Sequence, residues 1–216
     1  MITLYSYWRS TAAYRVRIAL NLKQIDYRIQ PVHLVRDGGE QHSESYRARN
    51  PQELVPTLDY KGDIYTQSLA IMELLEEKHA EPPLLPAYPT LRAKARQMAQ
   101  LIACDVHPLN NLRVLQYLEN QLHVDSEGRN RWVRHWIEQG FAALETLLSD
   151  RDIDIPYSVT DEPGMADICL VAQAYNARRF EVDLAPYPTI VEIEQRCLQL
   201  EAFDRARPEN QPDAAA

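Results

Sequence analysis

The side chains best placed to do chemistry lie near the start of the chain. Ser10 and Thr11 separate an apolar run at residues 1–5, which predicts a buried strand, from apolar residues that recur at helical spacing from Ala12. A helix N-terminus carries unpaired backbone N–H groups and the positive end of the helix dipole, so it favours a bound anion. The Ser10 hydroxyl either caps this helix or holds an anionic atom of a ligand, and these residues alone leave both interpretations open.

The cysteines and histidines show no pattern of a metal site or a protein nucleophile. Cys104, Cys169 and Cys197 are far apart and include no CxxC pair, which is typical of a reducing compartment. Cys104 and His107 have the i, i+3 spacing of a helical metal pair, but no further ligands follow, so we expect no metal. A serine triad with His107 and Asp105 lacks a nucleophile-elbow pattern. We therefore expect His107 to hydrogen-bond a ligand and the remaining histidines to lie at the surface.

Composition and charge restrict the class of protein. The 216 residues are 45% hydrophobic and 25% charged, which is typical of a soluble globular chain with one domain or two small ones. The formal net charge of −8 argues against nucleic acid and anionic membranes as partners, because either needs a basic face. We find no signal-peptide pattern and no segment apolar enough to cross a bilayer, so we expect a cytoplasmic protein with no membrane partner.

The first part of the chain has the order β-α-β, loop, β-β-α. After the first strand and helix, residues 26–34 alternate as a strand, and residues 35–50 predict a loop with one short helix at most. A strand follows Val55–Pro56, a turn at residues 59–63 leads to a short strand at 64–65, and Gln67–Ser68 opens a helix. These elements predict a small sheet covered by helices.

The rest of the chain predicts helices only. Four prolines within residues 80–89 mark a domain boundary, since such a stretch cannot continue a helix. We expect one helix from Pro89 to about Gln121 with a kink at Pro108, a second at residues 126–149, a buried third at 165–178, and a fourth from Pro188. Asp167 is expected to fix the start of the buried helix, and the tail from Arg207 is expected to fray.

Several motifs in this order resemble those of the zeta-class glutathione transferases. Residues 8–20, WRSTAAYRVRIAL, are similar to the class signature, which usually reads SSCxWRVRIAL. Asn50–Pro51, Val55–Pro56 and Gln67–Ser68 fit the order and spacing of the family. In the second half, DVHPLNN at 105–111 and RRFEVDLAPYP at 178–188 resemble the maleylacetoacetate and maleylpyruvate isomerase branch. The resemblance extends over roughly residues 3–207.

The resemblance implies an α/β plus all-α fold. Residues 1–80 would form a thioredoxin-like glutathione-binding domain, residues 81–89 a Pro-rich linker, and residues 90–216 an all-helical substrate-binding domain. The family is dimeric, so the resemblance also implies a homodimer.

The resemblance also implies a set of site residues, with glutathione as the cofactor. The turn carries no CxxC, so dithiol exchange is excluded and glutathione supplies the thiol. The implied catalytic residues are Ser10, which hydrogen-bonds the thiolate, with Thr11 and Arg9. Besides Ser10, the implied glutathione-binding residues are Val55, a cis Pro56, Gln67, Ser68, His107 and Asn111. The implied binding residues for the substrate, a small dicarboxylic keto acid, are Arg9, Arg113 and Arg179. We expect Arg15 and Arg178 to be solvated surface residues.

The activity implied is a glutathione-dependent cis–trans isomerisation of maleylacetoacetate to fumarylacetoacetate in aromatic-compound breakdown. Two positions depart from the signature, since Thr11 replaces the second serine and Ala12 the cysteine. In addition, Gly164 stands where a threonine or serine usually caps the buried helix. Sequences without a cysteine at position 12 resemble the maleylpyruvate enzymes more closely, so maleylpyruvate is an alternative substrate. A transferase acting on α-halo acids and a non-catalytic glutathione-binding interaction module are the further alternatives.

Overall fold

The computed structural model describes residues 1–152 and 154–214. Within it the chain divides into two compact units. The first comprises Met1–Leu84 together with the segment that begins at Gln199, and the second is Leu85–Leu198. The break near Leu84 falls within the predicted linker, but the last segment, predicted to belong to the helical domain, groups with the first unit.

The first unit is built on a four-stranded sheet. Its strands are β1 (Ile2–Ser6), β2 (Arg28–Pro31), β3 (Thr57–Tyr60) and β4 (Asp63–Thr66), in the order β2-β1-β3-β4. β1 is parallel to β2 and antiparallel to β3, and β3 is antiparallel to β4. The helices of this part are α1 (Thr11–Leu22), the short α2 (Glu44–Arg47) and α3 (Ser68–Lys78). The predicted order of strands and helices is confirmed, although β2 is shorter than the predicted 26–34.

Helix α1 is buried along most of its length, including its two arginines. Arg15 is almost fully buried and its Nε donates to Ser68 Oγ at 3.0 Å. The expectation that Arg15 is a solvated surface residue is therefore wrong. α1 packs against α3 and also against α9 (Glu201–Ala206), so residues between its main apolar positions are covered as well.

The tail after α9 is packed from residue 207 to residue 214, which contradicts the prediction that it frays there; the last two residues of the predicted tail lie outside the described residues. A 3₁₀ turn spans Pro208–Asn210, and the side chains of Gln211 and Asp213 are buried. Gln211 Nε2 donates to the carbonyl oxygens of Arg205 and Arg207 at 2.9 and 2.7 Å. The polar side chains of the tail thus bond to backbone groups of the folded unit, which a polar composition does not reveal.

The Pro-rich segment is held on the first unit up to Leu84. Lys23 Nζ lies 2.8 Å from Glu76 Oε2 and donates to the carbonyl oxygen of Pro82 at 2.9 Å. The same carboxylate oxygen accepts from the N–H of Leu84 at 2.8 Å. A buried ion pair with these additional bonds fixes the end of the first unit in place.

The second unit consists of helices. They are α4 (Pro89–Gln100), α5 (Leu112–Asn120), α6 (Ser126–Ser149), α7 (Met165–Arg179) and α8 (Pro188–Leu198). The single kinked helix predicted up to Gln121 is instead two helices. Between them lie a π-helical segment, Leu101–Val106, and a 3₁₀ turn, His107–Asn110. Pro108 has no N–H to donate and Asn111 caps α5, so the helix ends and restarts here.

Helix α7 is buried, as predicted, and Asp167 fixes its start. One oxygen of the Asp167 carboxylate accepts from the N–H of Gly164 and the other from the N–H of Ser158, each at 2.8 Å. Burial raises the pKa of Asp167, and these two N–H donors oppose the rise. The predicted structural role of Asp167 is confirmed.

No described helix has the length and apolar character needed to cross a membrane. The described part of the chain holds no cluster of three or more histidine, cysteine or acidic side chains suited to a metal ion.

Candidate active site

The pairing register of the sheet brings three chain segments to one edge. Tyr5 pairs with Thr57, and Thr57 pairs with Thr66. The turn that follows β1, the segment that precedes β3 and the start of α3 after β4 are therefore neighbours. The predicted residues of the first unit all belong to these three segments.

Ser10 is the N-cap of α1. Its Oγ accepts from the N–H of Ala13 at 3.2 Å, and its own N–H donates to the carbonyl oxygen of Tyr7 at 2.9 Å. The capping interpretation is confirmed. A hydroxyl has two acceptor lone pairs and one proton, and the cap uses only a lone pair. The proton of this partly exposed hydroxyl can therefore still be donated to an anion.

The neighbours of Ser10 differ in accessibility. Thr11 is buried as the first residue of α1, whereas Arg9 is exposed with its guanidinium 4.2 Å from the centre of the Trp8 ring. Of the two hydroxyls at the turn, that of Ser10 is the accessible one. Arg9 places a cation beside the turn, held by a cation–π contact.

The segment before β3 contains the predicted cis bond. The Val55–Pro56 peptide is cis and the Val55 side chain is buried. The chain just before it is fixed at the carbonyl oxygen of Leu54, which accepts from Tyr46 Oη and from Asn50 Nδ2, both at 2.7 Å. Sequence reasoning did not select Tyr46 or Asn50 as supports of this segment, although Asn50–Pro51 is part of the motif.

The start of α3 has the properties of a second anion site. Gln67 adopts a positive φ of 67° and its Nε2 donates to Gln52 Oε1 at 2.7 Å. The side chain of its N-cap residue, Gln67, makes no hydrogen bond to the first N–H groups of α3. Ser68 Oγ accepts from Arg15 Nε, so a buried guanidinium lies beside this helix start. Sequence reasoning missed this arginine because it was assigned to the surface.

The predicted residues of the second unit lie on three elements, namely the 3₁₀ turn, α5 and α7. His107 and Asn111 are half-buried at either end of the 3₁₀ turn, and Arg113 is exposed in the first turn of α5. Asn111 Oδ1 accepts from the N–H of Arg113 at 3.2 Å. The turn is held from α6 by Trp132 Nε1, which donates to the carbonyl oxygen of Leu109 at 2.7 Å.

Arg179 is the last residue of α7. It is exposed, and its guanidinium lies 5.3 Å from the centre of the Phe180 ring. Arg134 Nε donates to the carbonyl oxygen of Phe180 at 2.7 Å and so fixes this helix end. Arg178 is about half-exposed, and its guanidinium pairs with the buried carboxylate of Glu194, so the predicted surface residue is also an ion-pair partner.

The comparisons with known proteins agree with this geometry. Residues 4–83 match the family model described as glutathione S-transferase, N-terminal domain. A probable maleylacetoacetate isomerase of Vibrio cholerae is 49% identical over 99% of this chain and 98% of its own length. The sequence thus aligns along both units.

Two solved structures share the fold. One is described as the holo structure of a maleylpyruvate isomerase, a bacterial zeta-class glutathione transferase. It is 44% identical over 98% of this chain and 99% of its own, with a TM-score of 0.95. The other, a maleylacetoacetate isomerase of Methylobacterium extorquens AM1 with bound malonate and glutathione, is 42% identical over 99% of this chain and all of its own, with a TM-score of 0.94. The predicted fold class, a thioredoxin-like domain followed by helices, is confirmed. The chain belongs to the glutathione transferase family and, within it, to the zeta class of the maleylacetoacetate and maleylpyruvate isomerases.

Proposed function

We propose that this protein is a glutathione-dependent cis–trans isomerase that converts maleylacetoacetate to fumarylacetoacetate in the breakdown of aromatic compounds. The observation that carries the proposal is the Ser10 turn, where an accessible hydroxyl at a helix N-terminus keeps its proton for an incoming anion. A thiolate is such an anion, and the turn itself provides no thiol.

The residues at the sheet edge fit glutathione. The start of α3, with Gln67 and Ser68, suits the γ-glutamyl carboxylate, because helix N–H groups and the guanidinium beside Ser68 favour negative charge. The backbone of Val55, before the cis Pro56, is suited to pair with the cysteinyl part. Ser10 then faces the sulfur.

The chemistry supplied by bound glutathione is a thiolate that adds reversibly to the cis double bond, so that the bond can rotate before the thiolate leaves. Ser10 donates its proton toward the sulfur and, with the N-terminus of α1, lowers the pKa of the thiol. Thr11 contributes from the same helix start. Arg9 stabilises negative charge that develops on the substrate beside the turn.

The second unit supplies groups for a dicarboxylate. We assign to Arg113 and Arg179 the binding of the acidic ends of the substrate, since both are exposed guanidinium groups on ordered helix ends. We assign to His107 and Asn111 hydrogen bonds to glutathione or to the substrate. Both lie on the turn held by Trp132.

Maleylpyruvate is the second candidate substrate. Ala12 is buried in α1 where the class signature has a cysteine, and the similar holo structure is that of a maleylpyruvate isomerase. An α-halo acid transferase would use the same thiolate. A glutathione-binding module without turnover would not need the accessible Ser10 proton and three exposed arginines.

We also infer a cytoplasmic homodimer that binds glutathione and a small dicarboxylic keto acid. The three free cysteines support a reducing compartment. Light scattering during size-exclusion chromatography tests the dimer, and a monomer at micromolar concentration would contradict it.

The experiment that tests the function compares isomerisation of maleylacetoacetate and maleylpyruvate, each with glutathione, without it, and with S-methylglutathione as a control that lacks the thiol. We expect turnover only with glutathione, and faster turnover of maleylacetoacetate. A faster reaction of maleylpyruvate would favour the second candidate. Failure of both reactions, with retention on immobilised glutathione, would contradict the proposed isomerase.

A further inference from the structure

The backbone of Trp8, two residues before Ser10, is held at both of its polar groups. Its N–H donates to Asp213 Oδ2 at 2.9 Å, and its carbonyl oxygen accepts from Arg17 Nη2 at 3.1 Å. The first partner comes from the far end of the chain and the second from α1. The turn that carries Ser10 is therefore fixed by tertiary contacts as well as by its local hydrogen bond to Tyr7.

Arg17 connects this turn to the tail. Its side chain is fully buried, Nη1 donates to Ser6 Oγ at 3.1 Å, and Nε donates to the carbonyl oxygen of Ala206 at 3.0 Å. One guanidinium thus joins the end of β1, the turn and the end of α9. The planar fork of an arginine suits such a three-way contact, which a lysine could not reproduce.

The tail itself is fixed to the first unit by further bonds. Asn21 Nδ2 donates to the carbonyl oxygen of Ala202 at 2.9 Å, and Gln211 bonds to two backbone carbonyls. Asp213 is only 7% exposed, and its Oδ1 has no hydrogen-bond partner among the described residues. A buried carboxylate with one hydrogen bond is costly, so stability alone does not explain an acid at this position.

We propose that residues 201–214, which we term the tail strap, hold the catalytic turn in its working geometry, with Asp213 and Arg17 as positioning residues for Ser10. The inference rests on the proposed function. Loss of the Asp213 acceptor leaves the Trp8 N–H without its hydrogen-bond partner. The turn then shifts so that this N–H can bond to water. The Ser10 hydroxyl and the first N–H groups of α1 then shift relative to the sulfur, and small displacements of this kind cost large factors in rate.

Asp213→Ala and Asp213→Asn separate position from charge. Alanine removes the acceptor, whereas asparagine keeps an acceptor oxygen and removes the negative charge. If the acceptor matters, Asp213→Ala lowers kcat about tenfold and raises the pKa of the bound thiol. Asp213→Asn then keeps kcat and the thiol pKa close to their wild-type values. Loss of the charge alone works in the opposite direction, because removing an anion near a thiolate lowers the thiol pKa.

The first test measures kcat, the substrate KM and the pKa of enzyme-bound glutathione, the last by ultraviolet absorbance of the thiolate. Glu201→Gln is the matched control, since it removes an exposed carboxylate of the same strap. We expect Asp213→Ala to change kcat and the thiol pKa with little change in substrate KM, and Glu201→Gln to change none of them. An unchanged thiol pKa and kcat in Asp213→Ala, even with lower thermal stability, would overturn the proposal.

The second test needs no turnover and so separates this inference from the proposed function. Amide hydrogen exchange at Trp8 should be at least tenfold faster in Asp213→Ala than in the wild type and in Glu201→Gln. By reciprocity, glutathione should slow exchange at residues 208–214 if the strap favours the binding-competent turn. Wild-type exchange at Trp8 in Asp213→Ala, or no change in the strap when glutathione is bound, would overturn the proposal while leaving the isomerase activity untouched.

Discussion

The starts of α1 and α7 answer the same backbone requirement in opposite ways. At α7 each oxygen of the buried Asp167 carboxylate accepts a backbone N–H group. At α1 the cap is the partly exposed Ser10 hydroxyl, which accepts one N–H and keeps its own proton. Full use of a buried cap favours stability, whereas an accessible cap with an unused donor can still bond to a ligand. The comparison predicts separate effects on folding and on activity.

The largest effect is expected from Asp167→Ala. It leaves the N–H groups of Gly164 and Ser158 without their acceptor, and we expect a loss of about 3–4 kcal/mol in the free energy of unfolding. Chemical denaturation checks this, with the exposed Asp150→Ala as the control, expected within about 0.5 kcal/mol of the wild type. A small loss for Asp167→Ala would mean that the cap is not a major source of stability.

Ser10→Ala should lower activity strongly and stability only slightly. We expect kcat to fall about 100-fold, equivalent to about 2.7 kcal/mol, because one thiolate donor is lost. The unfolding free energy should fall by only about 1 kcal/mol. Asp125→Ala removes the exposed cap of α6 and serves as the control, with a similar stability loss and normal kcat. Near-normal turnover in Ser10→Ala would indicate that Thr11 or the backbone donates the hydrogen bond to the thiolate.

The end of α7 sharpens the comparison, since one helix would then combine a structural start with a functional end. Arg179→Met should raise the substrate KM about tenfold, as expected for the loss of one charge-assisted contact, and change the glutathione KM much less. Steady-state kinetics with each ligand varied in turn measure both constants. Arg196→Met on α8 is the control. An equal rise in both KM values would contradict a substrate-specific role for Arg179.

The smallest effect tests the cap of α7 directly. Gly164 occupies the N-cap with extended dihedral angles that serine also adopts, so Gly164→Ser should add a side-chain acceptor without backbone strain. We expect a gain of a few tenths of a kcal/mol in thermal or chemical denaturation. A loss would indicate that the added hydroxyl does not reach the first N–H groups of α7.

Local patterns predicted the parts of the site that local sequence determines. The strand–turn–helix order placed Ser10 at a helix start, and the motifs placed the cis Pro56 before β3. The patterns failed where distant segments decide. Arg15 was expected to be solvated because it stands between apolar positions of α1, yet α3 and α9 both pack against this helix, and the Arg15 side chain bonds to Ser68 of α3. The hydrogen bond between Trp8 and Asp213 joins residues 205 positions apart in the sequence, and local periodicity cannot predict a contact at such a separation.

The first unit is discontinuous in the chain, and this determines the order of events during synthesis. Residues 1–84 leave the ribosome first, but α9 and the strap follow only after all of residues 85–198 have been made. At about 5–20 residues per second, the nascent unit waits for several seconds with one side of α1 uncovered. Premature termination within the second unit would therefore yield a chain that contains Ser10, Val55 and Ser68 but lacks the segment that completes their domain.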